Sequence, residues 1–150
     1  MANHLRRQIR EALATAVTGL TTTSTRVFQS RVYPLQAADL PCLLVHTRSE
    51  RSQPSTVHPN RVIERTLEVE VVAIAKATAD LDDTLDGIAK EVETALAGPP
   101  TGLVNVGAKD VRLISTAIEL NGEGEKPTGS ATLLYEVDYF NLENAPDTAH

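Results

Sequence analysis

Leu5, Ile9, Ala12, Leu13, Ala16, Val17 and Leu20 recur at steps of three and four, the spacing that gathers side chains on one side of an α-helix. A first helix is predicted over about Asn3 to Thr18, with Asn3 as N-cap and Gly19 as the stop. Its stripe Arg6, Arg7 and Arg10 reads as a solvated face or as a contact with another subunit. The pattern then changes to alternation. Thr25 to Gln29 predicts a short edge strand, and Cys42 to Arg48 a buried strand that is apolar on both sides at its start. Between them Pro34 and Pro41 hold the chain extended.

From Ser49 to Arg61 almost nothing is apolar, which predicts a polar loop. Val62 to Lys76 is a long strand with Leu67, Val69, Val71 and Ala73 on one face and Glu64, Thr66, Glu68 and Glu70 on the other. Beyond Glu70 the second face also turns apolar, at Val72 and Ile74, so that end is expected to be covered or to meet another subunit. Leu81, Leu85, Ile88, Ala89, Val92 and Leu96 return to helical spacing behind Asp80 as N-cap, with Asp82 and Asp83 in the first turn, where the helix dipole favours negative charge. Gly87 inside this helix suggests close approach to the sheet. After a turn-rich connector from Gly98 to Gly107, Val111–Leu120 and Ser130–Asn141 predict a long antiparallel hairpin whose tip is Asn121–Gly129.

Strands and helices thus occur without a repeated strand-helix-strand unit. The expected fold class is α+β, a mostly antiparallel β-sheet with two α-helices packed on one face. It forms a single domain over residues 1–142, followed by a flexible tail over 143–150.

Composition narrows the function. Aromatic residues make up 3% of the 150 positions and Trp is absent, so the core must be aliphatic and has few large anchors. Association with other subunits would bury more surface. The formal charge of −6 argues against gripping a phosphate backbone. The basic N-terminus lacks a continuous apolar stretch and no segment reaches the roughly 18 apolar residues of a membrane span, so a soluble protein without a cleaved leader is expected. Cys42, the one cysteine, reads as a buried thiol.

Candidate chemistry is sparse. His4, His46, His58 and His150 show no helical metal spacing, His46 reads as a structural imidazole, and the Asp80 group is explained by helix capping. Neither a cofactor nor a metal is expected. Glu68, Glu70, Glu136 and Asp138 should share the sheet face opposite the core. Paired carboxylates serve glycoside hydrolysis, but that chemistry wants a desolvated acid and a sugar cleft, usually aromatic-lined. A solvated face balanced by Arg65 and Arg112, or the wall of a channel through a ring, are the other readings, and the chain is not expected to be an enzyme.

Arg31-Val-Tyr-Pro-Leu, Asp39-Leu-Pro-Cys-Leu-Leu-Val, the strand Leu67-Glu-Val-Glu-Val-Val-Ala, the helix after Asp80, and Thr116-Ala-Ile-Glu-Leu-Asn-Gly-Glu-Gly-Glu-Lys-Pro-Thr-Gly-Ser-Ala before Leu134-Tyr-Glu-Val-Asp-Tyr follow one another in an order that resembles the lambda-type minor tail protein U group of bacteriophage tail terminators. The resemblance runs from about Leu5 to Asn141 and rests on order and pattern. It implies an α+β subunit of a homohexameric ring in the virion, at the head-proximal end of the tail, assembled in the host cytoplasm. Such a ring caps the tail tube, stops its polymerisation and offers a surface to the head connector or neck protein. The implied partners are further copies of the chain, the tail-tube protein and the neck protein, with DNA passing through the lumen without specific binding. On this reading Arg26, Arg31, Arg48, Arg51, Arg61, Arg65, Val72 and Ile74 are candidates for the subunit interface. Glu68, Glu70, Glu136 and Asp138 are candidates for the lumen, and Glu123, Glu125 and Lys126 at the hairpin tip for contact with tube or neck. A head-tail joining neck protein is the nearest alternative, and a small homo-oligomeric ligand-binding or enzymatic α+β domain a more distant one.

Overall fold

The computed structural model describes residues 3–29, 40–76, 79–98, 100–121 and 128–150. Arg31, Glu123, Glu125 and Lys126 lie outside the described residues, as do Pro34 and most of the hairpin tip. The elements are α1 (Leu5–Ala16), β1 (Val27–Phe28), β2 (Cys42–Pro54), β3 (Val62–Lys76), α2 (Leu81–Leu96), α3 (Thr101–Asn105), β4 (Asp110–Asn121) and β5 (Thr128–Leu142). The strands make one sheet in the order β1-β2-β3-β5-β4. Every pairing is antiparallel except that of β1 with β2. The fold is α+β, with helices packed against a mostly antiparallel mixed sheet.

The helices cover one face. Leu5, Ile9, Leu13 and Val17 of the first helical segment and Leu81, Leu85, Ile88, Val92 and Leu96 of α2 bury against Leu43, Val45, Leu67, Val69, Val71, Ala73, Leu133, Tyr135, Val137 and Tyr139. Alternation along β3 and β5 puts these sheet residues on the same side. Gly129 leaves room for the start of α2, because a Cβ there would lie 2.5 Å from Leu81 Cδ2. The second face has its own small apolar patch of Cys42, Leu44, Val72 and Ile74, covered by Phe28 and Leu40. Val72 and Ile74 are only 4% and 5% exposed. Their apolar character is therefore accounted for within one chain, and the subunit contact expected there is not needed to explain it.

Several local expectations are corrected. The cap of α1 is His4, whose Nδ1 accepts from Arg6 N at 3.0 Å, in place of Asn3. Half of the expected loop after Arg48 is strand: Ser49 to Pro54 continue β2 and pair with Ile63 to Glu68. Polar side chains do not prevent pairing when the backbone hydrogen bonds are supplied by a neighbour. Gly87 faces open space, with nothing within 4 Å of an added Cβ, so it does not mark close approach to the sheet. The connector holds α3, which buries Leu103.

The tail is docked, not frayed. Pro146 O accepts from Leu5 N at 2.9 Å, Asp147 O from Gln8 Nε2 at 3.0 Å, and Phe140 O from His150 N at 2.9 Å. Gly107, at φ +101°, admits Ala149, whose Cβ would clash with any side chain there. The first of these bonds satisfies the Leu5 N–H, one of the first-turn groups that have no partner inside the helix.

Candidate functional site

Three arrangements stand out on this scaffold. The first is the charged half of the second face. Glu68 and Glu136 are directly opposite in the β3–β5 ladder, and Thr66 is opposite Asp138, so the four acidic residues read from the sequence do share one face. Each is tied to a base. Glu70 Oε2 lies 3.0 Å from His46 Nε2, and Arg48 Nε is 3.8 Å from both Glu68 and Glu70. Arg51 Nη2 donates to Glu136 at 2.9 Å. Arg112 reaches Asp138 at 2.7 Å, Asp110 at 2.9 Å and Glu136 at 3.1 Å.

Hydrogen bonds to Asp138 and Asp110 hold the Arg112 guanidinium well above its ordinary pKa. Burial works to raise the pKa of Asp138, yet hydrogen bonds from Arg112 and Thr66 hold it below the ordinary carboxylate value. Both keep their charges. Arg112 therefore balances this face as expected, whereas Arg65 lies on the other one. The imidazole of His46 is half satisfied, since Nδ1 is buried without a hydrogen bond.

The second arrangement depends on a bulge that the sequence pattern does not show. β2 carries a bulge at Arg48, between Thr47 and Ser49, and a bulge shifts the alternation by one residue. Glu50 consequently sits opposite Leu67 and points to the helix side, where its side chain is 5% exposed. Its Oε1 accepts from Arg6 Nη1 and Arg65 Nη1, each at 2.9 Å, and its Oε2 from the Tyr139 hydroxyl at 2.5 Å. Arg65 Nε is held at 2.7 Å by Asn141 Oδ1.

This cluster pins the start of α1 to β2, β3 and β5. Burial, and after it the hydrogen bond to Glu50, pushes the Tyr139 hydroxyl far above its ordinary pKa. Burial and the nearby Arg6 charge lower the pKa of His4. A recess of about 230 Å³, lined by Arg6, Thr47, Arg48, Ser49, Glu50 and Leu67, opens beside the cluster. It is smaller than the roughly 300–1,000 Å³ clefts that take small ligands, and its walls are mainly polar.

The third is the outer strand β4. It ends the sheet, and from Leu113 to Leu120 every residue is exposed. Ile114, Ile118 and Leu120 are 48%, 51% and 71% exposed. A bulge at Ile114, between Leu113 and Ser115, puts Thr116, Ile118 and Leu120 on the helix side. α2 covers β5 but leaves these side chains uncovered.

The arginines assigned to an interface divide in two. Arg26 is spent inside the chain, donating to Pro41 O at 2.8 Å and Thr22 O at 2.9 Å, and Arg65 belongs to the Glu50 cluster. Arg48, Arg51 and Arg61 stay largely exposed, each within 4 Å of an acidic group. Among the described residues no group of three or more His, Cys, Asp or Glu is placed to hold a metal ion, and no helix is long and apolar enough to cross a membrane. Comparison with known proteins finds no matching family model and no matching curated protein.

Proposed function

We propose that the chain is a structural virion protein, a tail terminator that closes the tail tube as a ring, stops tube polymerisation and presents a surface for head attachment. The observation that carries this reading is β4, a strand of 12 residues at the sheet margin with large apolar side chains in solvent. Long apolar edges invite pairing with another chain, and proteins that act alone blunt them. The likeness in element order to tail terminators supplies the rest. Exposed Arg48, Arg51 and Arg61 at the far side of the sheet fit a role in setting subunit register, because rim charges steer and align more than they bind.

The test is assembly of the cognate tail-tube protein in vitro. Added subunits are expected to yield short, uniformly capped tubes, with a ring visible at one end by electron microscopy. Tubes that grow to the same length with and without the protein would overturn the proposal. Capture by portal-side neck subunits in place of the tube would move the chain to the head-tail joining class.

A further inference from the structure

We infer that, before any ring forms, the free subunit associates with a second copy of itself through β4, the two strands antiparallel about a two-fold axis. The two free margins of the sheet differ. The part of β2 not covered by β1 is polar, bulged at Arg48 and ends at Pro54, all devices that discourage strand addition. β4 has a bulge but neither proline nor a polar run, and among the described residues no strand lies beside its outer backbone groups.

The sequence of β4 is complementary to itself. Aligned antiparallel about Thr116, with the bulged Ile114 left out of the count, it sets Val111 against Leu120, Arg112 against Glu119 and Leu113 against Ile118, and the two-fold repeats each pair. Strict alternation would put the members of these pairs on opposite faces. The bulge at Ile114 corrects this: Val111 and Leu113 lie opposite core residues Val137 and Tyr135, and Ile118 and Leu120 opposite Ala131 and Gly129. All four apolar residues then share the helix side, while Arg112 and Glu119 share the second face.

Arg112 is already held by Asp138 and Glu136, so the apolar pairs carry the association and the Arg112–Glu119 pair fixes its register. Pairing from Val111 to Leu120 runs over about 30 Å of strand, which makes a small interface of the weak, reversible class. Neighbours in a cyclic ring are related by a rotation other than this two-fold. The dimer is accordingly a state of the free subunit, one that shields the apolar edge until the tube is met.

Sedimentation equilibrium of the purified chain is expected to show a reversible dimer of the 16.2 kDa subunit. Ile118→Glu should sediment as a monomer with unchanged circular dichroism, and Glu119→Arg should raise the dimer Kd about tenfold. Oxidation of Leu113→Cys/Ile118→Cys should give a covalent dimer that neither single variant gives, Cys42 being buried. A wild-type chain monomeric up to about 100 μM, or single variants that cross-link as well as the double, would overturn the inference. Tube capping by a strictly monomeric protein would remove this dimer and leave the terminator reading standing; a β4 dimer that leaves tube length unchanged would do the reverse.

Discussion

Glu50→Ala is the substitution from which the fold has most to lose. The carboxylate is nearly inaccessible, with 5% of its side chain exposed, and it accepts from Arg6, Arg65 and the Tyr139 hydroxyl. Alanine leaves the Arg65 Nη1 donor and the hydroxyl of a fully buried tyrosine unsatisfied. Removing one partner of a buried pair costs about 3–5 kcal/mol, because the charge left behind is uncompensated. Arg6 is 43% exposed and can turn to water, so Arg6→Ala should cost no more than about 1 kcal/mol. Tyr139→Phe falls between, at about 1.5–3 kcal/mol for one lost hydrogen bond to a charged group.

Urea unfolding followed by circular dichroism measures all three, with the midpoint falling and the slope unchanged. For a chain of this length the Glu50→Ala loss corresponds to a drop in Tm of roughly 10 °C. A Glu50→Ala protein within about 1 kcal/mol of wild type, or one more stable than Arg6→Ala, would show that the cluster does not hold α1 to the sheet.

Gly87→Ala should stabilise the chain by about 0.5–1 kcal/mol, since the position is helical and open to solvent and glycine is entropically costly there; a loss of stability in thermal melts would contradict this. The pKa of His4 is lowered from 6.5, so the unfolded chain binds the proton first. The stability contributed by this neutral cap is present above pH 6.5 and lost as pH falls through its folded pKa. His4→Asn should flatten that part of the stability curve, and an unchanged slope would remove His4 as its source. Deleting Pro146 to His150 should cost about 1–3 kcal/mol through the lost bonds at Leu5, Gln8 and Phe140. Hydrogen exchange should then speed up at Leu5, and unchanged protection there would refute tail docking.

What could be read from the sequence followed from strict periodicity. Periodicity bounds β3 correctly because Leu67, Val69, Val71 and Ala73 alternate without interruption, and it places β5 to within two residues at each end because the same holds from Ala131 to Tyr139. The Glu50 cluster was hidden for the opposite reason. Counting in twos from Cys42 sends Glu50 to the second face, and only the bulge at Arg48, which no residue type announces, sends it to the helix side. The bulge at Ile114 likewise conceals that Ile118 and Leu120 share a side with Leu113. The docked tail carries no apolar period at all, because backbone carbonyls and one alanine hold it.

The charged half of the second face bears on how a ring built from this chain would treat DNA. A wall of unbalanced carboxylates would repel a phosphate backbone, but this face is not unbalanced. Arg48 lies against Glu68 and Glu70, Arg51 against Glu136, and Arg112 against three acids at once. A guanidinium whose donors are spent on carboxylates has few left for phosphate, and releasing it would cost the hydrogen bonds that keep Asp138 ionised. On the terminator reading, a lumen lined by this face resists adhesion at Arg112, whose donors are committed within the subunit, whereas Arg48 and Arg51 remain open to solvent. Uniform negative charge is not required for that, and substituting Asp110, Glu136 and Asp138 together should make the passage sticky by freeing Arg112.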